Sequence, residues 1–188
     1  MNTSTRPPTN VVSHDLLLTH RLALRPLRKG DIDALHALFA DPGVRRQLGL
    51  RRVPRWREVA ALVARSLAQR RAHGGGLWTL AESVCSPRLA GIVGLWEFRE
   101  QVQAPHELVL AVAGEAPDGV IAQEAAQAMV DYAGSVLRWP CLYASLDAAL
   151  LRRLGFAECS GKDAPRRVFR IDLDEARMPA PLRHAVGW

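Results

Sequence analysis

HELVLAVAGEAPDGVIAQEAAQAMVDYAGSVL, His106 to Leu137, changes its hydrophobic period once, and the place of that change sets the architecture. From His106 to Ala113 the residues are apolar apart from the opening pair, a run of strand length bounded by the turn residues Gly114, Pro117 and Gly119. Beyond the loop, Ile121, Ala125, Ala128, Met129, Tyr132 and Val136 recur at three- and four-residue steps, so a helix follows with one face suited to a sheet. A strand that passes through a short turn into a helix N-terminus presents backbone N–H groups to an anion, because first-turn donors have no partner inside the helix.

Working outward, the chain alternates strand and helix signals. Leu16 to Leu27 reads as a strand ended by Pro26, and Asp31 stands at the N-cap of a helix closed by Asp41-Pro42-Gly43. A long helix opens at Pro54 with Trp56, Val59, Ala60, Val63 and Leu67 inward, and stops at Gly74-Gly75-Gly76. Leu77–Ser83 and Leu89–Phe98 read as a hairpin, Phe98 to Pro105 as a loop, Pro140–Ser145 as a short strand, and Asp147 as the cap of another helix. Arg167–Leu173 is the last expected strand.

Several short stretches carry a resemblance. Glu107-Leu108, Ala122-Gln123-Glu124-Ala125 and Asp131-Tyr132-Ala133 fall without a gap on ELGYWLxPxxxGxGxAxEAxxxLxxYA. Thr19, Arg21, Leu22, Leu24, Arg25 and Pro26 match TxRLxLRPL, while Asp41, Pro42, Val44 and Leu48 match DPxVxxxL. Gly91-Ile92-Val93-Gly94-Leu95 stands where that pattern has GxIGL, and Leu154-Gly155-Phe156 is a further mark. On these residues, spread from Leu16 to Leu173, the chain resembles the GNAT N-acetyltransferases, in the branch of the ribosomal-protein-alanine acetyltransferases.

The resemblance implies an α/β (α+β) single domain with a mixed central sheet of about six to seven strands flanked by helices. It implies acetyl-CoA as co-substrate, with the pantetheine arm along Leu110, Ala111 and Val112 and the pyrophosphate at Gly119, Val120, Ile121, Ala122 and Gln123. The acceptor is then a primary amine, on a small molecule or a peptide N-terminus. Glu107 is the first candidate for its general base, Glu97 the second and His106 the third, with Ser145 and Tyr143 as donors to the leaving thiolate. Glu107 has an equal structural reading, a strand carboxylate paired with a neighbouring arginine, and Tyr143 reads more naturally as core.

The phosphate loop departs from the family pattern. Where that pattern has Gln or Arg, two residues, Gly, one residue and then Gly or Ala, this chain has Pro117, Asp118, Gly119, Val120, Ile121 and Ala122, and only Ala122 conforms. Glu115 and Asp118 bring negative charge, Asp118 suits the helix N-cap, and Val120 crowds a close backbone approach. The Asn usually found between the following strand and helix is missing. Weak acetyl-CoA binding is therefore expected, and a second function stays open: a catalytically degenerate protein of this fold that binds a ligand or partner.

Length and composition set the remaining bounds. The 188 residues suit one domain over 16–173, preceded by a disordered arm over 1–15 and followed by a tail over 174–188. No apolar run is long enough for a membrane span and no signal pattern opens the chain, so a cytoplasmic protein without membrane contact is expected. Cys85, Cys141 and Cys159 fit neither a disulfide framework nor a zinc spacing, and no metal is expected. The net charge of +6 owes much to arginines between Arg51 and Arg71, which read as a solvated helix face rather than a nucleic-acid surface because no aromatics interleave with them. A homodimer is left open.

Overall fold

The computed structural model describes residues 10–13, 15–82, 89–97, 106–114, 119–161 and 166–173. The chain begins with β1 (Asn10–Ser13), β2 (Leu16–Leu18) and β3 (Ala23–Pro26), an antiparallel meander in place of the single strand expected from Leu16. Polar Thr19-His20-Arg21 makes the break: the Thr19 amide donates to the Leu22 carbonyl at 2.9 Å, and the Leu22 amide to Thr19 Oγ1 at 3.0 Å. β1 falls inside the expected disordered arm, whose residues 1–9 and 14 lie outside the described residues, as do Cys85, the 115–118 loop and the 174–188 tail.

Three helices follow where two are expected: α1 (Ile32–Leu38), α2 (Pro42–Gln47) and α3 (Trp56–His73). Asp41-Pro42 starts a helix rather than closing one. The Asp41 carboxylate accepts from the Val44 amide at 3.0 Å, and Pro42 takes the first helical position, where a missing N–H costs nothing. Asp31 does stand at the N-cap of α1, but its carboxylate does not cap. It instead receives both guanidinium arms of Arg25, at 2.7 and 2.8 Å, and the Arg28 amide at 2.7 Å. In α3 the buried stripe runs through Val59, Val63, Ser66 and Gln69, so Trp56, expected inward, lies a turn too early and is 52% exposed.

After the left-handed Gly74 come β4 (Gly76–Ala81), β5 (Gly91–Glu97), β6 (His106–Val112), α4 (Val120–Ser135), β7 (Cys141–Ala144), α5 (Ala148–Arg153), β8 (Ala157–Glu158) and β9 (Phe169–Asp172). Asp147 caps α5 as expected, accepting from the amides of Ala149 and Leu150 at 2.8 and 2.9 Å. The strands form one nine-stranded sheet in the order β1-β2-β3-β4-β5-β6-β7-β9-β8. The excess over six to seven comes from the short outer strands β1 and β8 and from the β2/β3 break. Every neighbouring pair is antiparallel except β6 and β7, which α4 connects in parallel.

Strand alternation divides the core between two faces. Val93, Leu95, Leu108, Leu110, Val112, Leu142 and Ala144 pack under α4 and α5, against Ala125, Met129, Tyr132, Leu150 and Leu151. Leu77, Ile92, Trp96 and Ala111 face the other way, under Leu35, Phe39, Val44, Val59 and Val63 of α1 to α3. Glu124 of α4 ties the two halves of the chain, accepting from Thr19 Oγ1 at 2.5 Å, the Arg21 amide at 2.7 Å and the Arg21 guanidinium at 3.2 Å. Two of the sequence marks, about a hundred residues apart, are thus joined by direct contact.

Candidate active site

β6 and β7 register at only two places, Glu107 opposite Tyr143 and Leu108 opposite Ala144, and beyond them the two strands part. The free edge of β6 that this exposes can be read from its ladder with β5. Ala113 donates its N–H to the Ala90 carbonyl at 2.8 Å, which makes Gly91 and Val112 a non-hydrogen-bonded pair, with the N–H and C=O of Val112 turned away from β5. Leu110, two residues earlier, has the same orientation. Ala111 turns its groups to β5, so of the three strand residues expected to line the cofactor arm it is the one whose backbone does not face the gap. Val112 has a partner there: the Gln47 carboxamide donates to its carbonyl at 2.9 Å and accepts from its N–H at 3.0 Å.

Glu107 sits at the apex of the gap, 4% exposed. By alternation it shares a face with Val109 and Ala111, and the register puts Trp96 beside it on one side and Tyr143 on the other. Burial pushes its carboxyl above the ordinary carboxylate range; the guanidinium of Arg166, paired with it, and nearby Ser145 work in the opposite direction. The buried Ser145 Oγ forms no hydrogen bond of good geometry among the described residues, leaving a hydroxyl proton next to the carboxylate. Tyr143, expected in the core, is half-exposed on this face because Leu142 and Ala144 take the inward positions; burial is the main influence raising its phenol.

The same face carries a cavity of about 600 Å³ between the sheet, α3 and the segment linking α2 to α3. Phe39, Leu62, Leu77, Ile92, Trp96 and Val109 make its walls, two of them next to Glu107. Arg51, Arg52 and Arg65 stand at its rim with Glu58. Arg52 is spent on Glu58, at 2.6 and 2.8 Å, and Arg65 lies 5.0 Å over the Trp96 ring. Arg51 and Arg65 make no ion pair among the described residues.

Glu97 and His106, the second and third candidates for the base, are not brought to Glu107. They pair with each other across β5 and β6 and point to the α4 face, one residue out of phase with Trp96 and Glu107. Glu97 lies 3.3 Å from His73 Nε2, and the His106 ring stacks on Trp139 at 3.9 Å. Burial and the nearby His73 hold the His106 imidazole below its ordinary pKa.

At the far end of the gap, Gly119 is the N-cap of α4 and opens its first turn, where Val120 is 57% exposed, Ala122 is buried and Gln123 is exposed. Asp118, read as the cap from sequence, is outside the described residues. The geometry fits an extended acyl-carrier arm: a strand edge offers a paired donor and acceptor to two successive amides, and it leads to the N-terminus of a 16-residue helix whose first turn carries no acidic side chain, suited to a phosphate. No cluster of metal-ligating side chains occurs among the described residues, nor any helix long and apolar enough to cross a membrane. Sequence reasoning missed Arg166 and Gln47. Nothing local marks Arg166; Gln47 could have been found by reading Asp41-Pro42 as a helix start, since that helix must then end near the strand.

Residues 21–161 match the family model described as the acetyltransferase (GNAT) domain. No curated protein matches the chain significantly. Among solved structures, the fold is similar to that of an acetyltransferase from Agrobacterium tumefaciens C58, at 22% identity and a TM-score of 0.69, covering 87% of this chain and 98% of the other. It is similar also to RimL, a ribosomal L7/L12 α-N-protein acetyltransferase solved with coenzyme A, at 13% identity and a TM-score of 0.65, over 82% and 95% of the two chains. A third is the ribosomal-protein-S5-alanine acetyltransferase of Vibrio fischeri, at 11% identity and a TM-score of 0.66, over 85% and 97%.

Proposed function

Because this chain belongs to the GNAT acetyltransferase family, we propose that it transfers the acetyl group of acetyl-CoA to a primary amine seated in the cavity beside Glu107. The observation that carries this reading is the position of Glu107: buried at the apex of the parted strands, on the face where the cavity lies, beside two hydroxyl side chains. Acetyl-CoA, when bound, supplies the acetyl thioester. Leu110 and Val112 would hold its arm, and Gly119 to Gln123 its pyrophosphate.

Glu107 takes the proton from the acceptor amine. A carboxyl raised by burial is better matched to that task than an exposed one, since a base works best with a pKa near the working pH. Tyr143 and Ser145 are the donors next to it that return a proton to the leaving sulfur, and a raised phenol keeps Tyr143 protonated for that role. The apolar walls and the charge of Arg51 and Arg65, without an ion pair among the described residues, favour an amine on an apolar body over a polyamine.

The Arg166 pair favours one rival, in which Glu107 is a structural carboxylate and the fold has lost catalysis. Glu107→Gln separates the two. In the catalytic reading, amine-dependent release of free coenzyme A falls about a hundredfold or more while the melting temperature and acetyl-CoA affinity hold. Activity that merely follows the folded fraction would assign Glu107 to structure. Absence of both acetyl-CoA binding and coenzyme release, over peptide N-termini, polyamines and aminoglycosides, would favour the binding-module reading.

A further inference from the structure

The open edge of β6 has one well-placed donor–acceptor pair with a partner already in place, and that partner is a side chain. Gln47, the last residue of α2, offers a carboxamide whose NH2 and C=O meet the C=O and N–H of Val112 at 2.9 and 3.0 Å. The two bonds from the carboxamide to one strand residue reproduce what an added strand, or an extended ligand with two successive secondary amides, would make at that place with the N–H of one amide and the C=O of the next. We propose that Gln47 is an internal stand-in for two successive amides of the acyl-carrier arm: it closes the edge at Val112 when no ligand is there, and must swing away for the arm to bind. The proposal rests on the acetyl-CoA reading given above.

The exchange has a definite chemical logic. A half-buried strand edge left bare loses free energy through unsatisfied N–H and C=O groups, so the carboxamide stabilises the free protein. An incoming arm replaces these two bonds with two of its own, and its net gain at Val112 is near zero. The same exchange makes the edge selective. A ligand without an amide at this position removes the Gln47 bonds and returns none, so a simple thioester does not open the slot. Side-chain length matters as well: Asn is one methylene shorter and cannot reach from the end of α2, whereas Glu keeps an acceptor for the Val112 N–H and loses the donor for its carbonyl.

The test uses the full chain, labelled for NMR, with acetyl-CoA as the probe. Calorimetric titration should give Gln47→Ala and Gln47→Asn about tenfold tighter acetyl-CoA binding than the unmodified chain, equivalent to about 1.4 kcal/mol, with Gln47→Glu between them. In the free state, the Val112 amide should exchange at least tenfold faster in Gln47→Ala than in the unmodified protein, while the Ala111 amide, bonded to β5, keeps its rate. Acetyl-CoA should restore Val112 protection in the variant and, in the unmodified chain, move the Gln47 side-chain NH2 resonances. Equal or weaker binding by a folded Gln47→Ala, or unmoved Gln47 resonances on saturation, would overturn the proposal and leave acetyl transfer standing. If neither chain binds acetyl-CoA, the acetyl-transfer reading fails and takes this one with it.

Discussion

At the scale of single residues, the carboxyl of Glu107 is set by two opposed influences, burial raising its pKa and Arg166 lowering it, with burial the larger. The sign follows. An acid whose pKa is raised on folding stabilises the fold at low pH, and that contribution is lost as pH rises through the folded-state value. Glu107→Gln removes this loss, so above the carboxylate range the variant should melt no lower than the unmodified protein, which differential scanning calorimetry checks. The proposed role as base needs the other form. The rate should rise as pH climbs through the raised pKa, and Arg166→Gln, by removing the influence that opposes burial, should carry this acid limb to higher pH. A limb that stays put or moves down in Arg166→Gln would show that another group sets the profile.

Among the elements, α4 is fixed in two ways with different energetics. Met129, fully buried, and Tyr132, 2% exposed, pack its inner face on the sheet. Met129→Ala should cost about 2 to 5 kcal/mol through the cavity it leaves. Gln127 is half-buried and bonds the buried Asp131 at 2.9 Å, so Gln127→Ala should cost about 1 kcal/mol and not be silent. Chemical denaturation of the two variants gives the ratio, and equal losses would put the inner face elsewhere. Glu124 fixes the start of the helix to the β2–β3 turn. Glu124→Ala removes its bonds to Thr19 and Arg21 and should destabilise by about 2 to 3 kcal/mol with activity per folded molecule unchanged. Acetyl transfer that vanishes at unchanged stability would instead give Glu124 a part in the chemistry.

For the whole molecule, the parts legible in sequence were those encoded locally. The period change at His106–Leu137, the Asp147 cap and the glycine stop after α3 are short-range signals, and each recurs in the structure. Trp56 was misplaced because its stripe begins a turn later, at Val59, and Tyr143 because one residue of phase in a strand moves a side chain to the other face. The same phase separates Glu97 from Glu107, which sequence proximity made rivals. Arg166 and Gln47 reach the site across 59 and 65 residues of chain, a distance over which no local pattern speaks. The two-pair register between β6 and β7 also has a mechanical meaning. A plate with a notch concentrates load at the notch tip, and here the tip is Leu108 against Ala144, whereas β5 and β6 share seven registered pairs. Drawn apart by optical tweezers at Ala23 of β3 and Leu173, which stand on opposite sides of that notch, the sheet should fracture first along the β6–β7 line, paying out α4 before the longer seams from β3 to β6 give way.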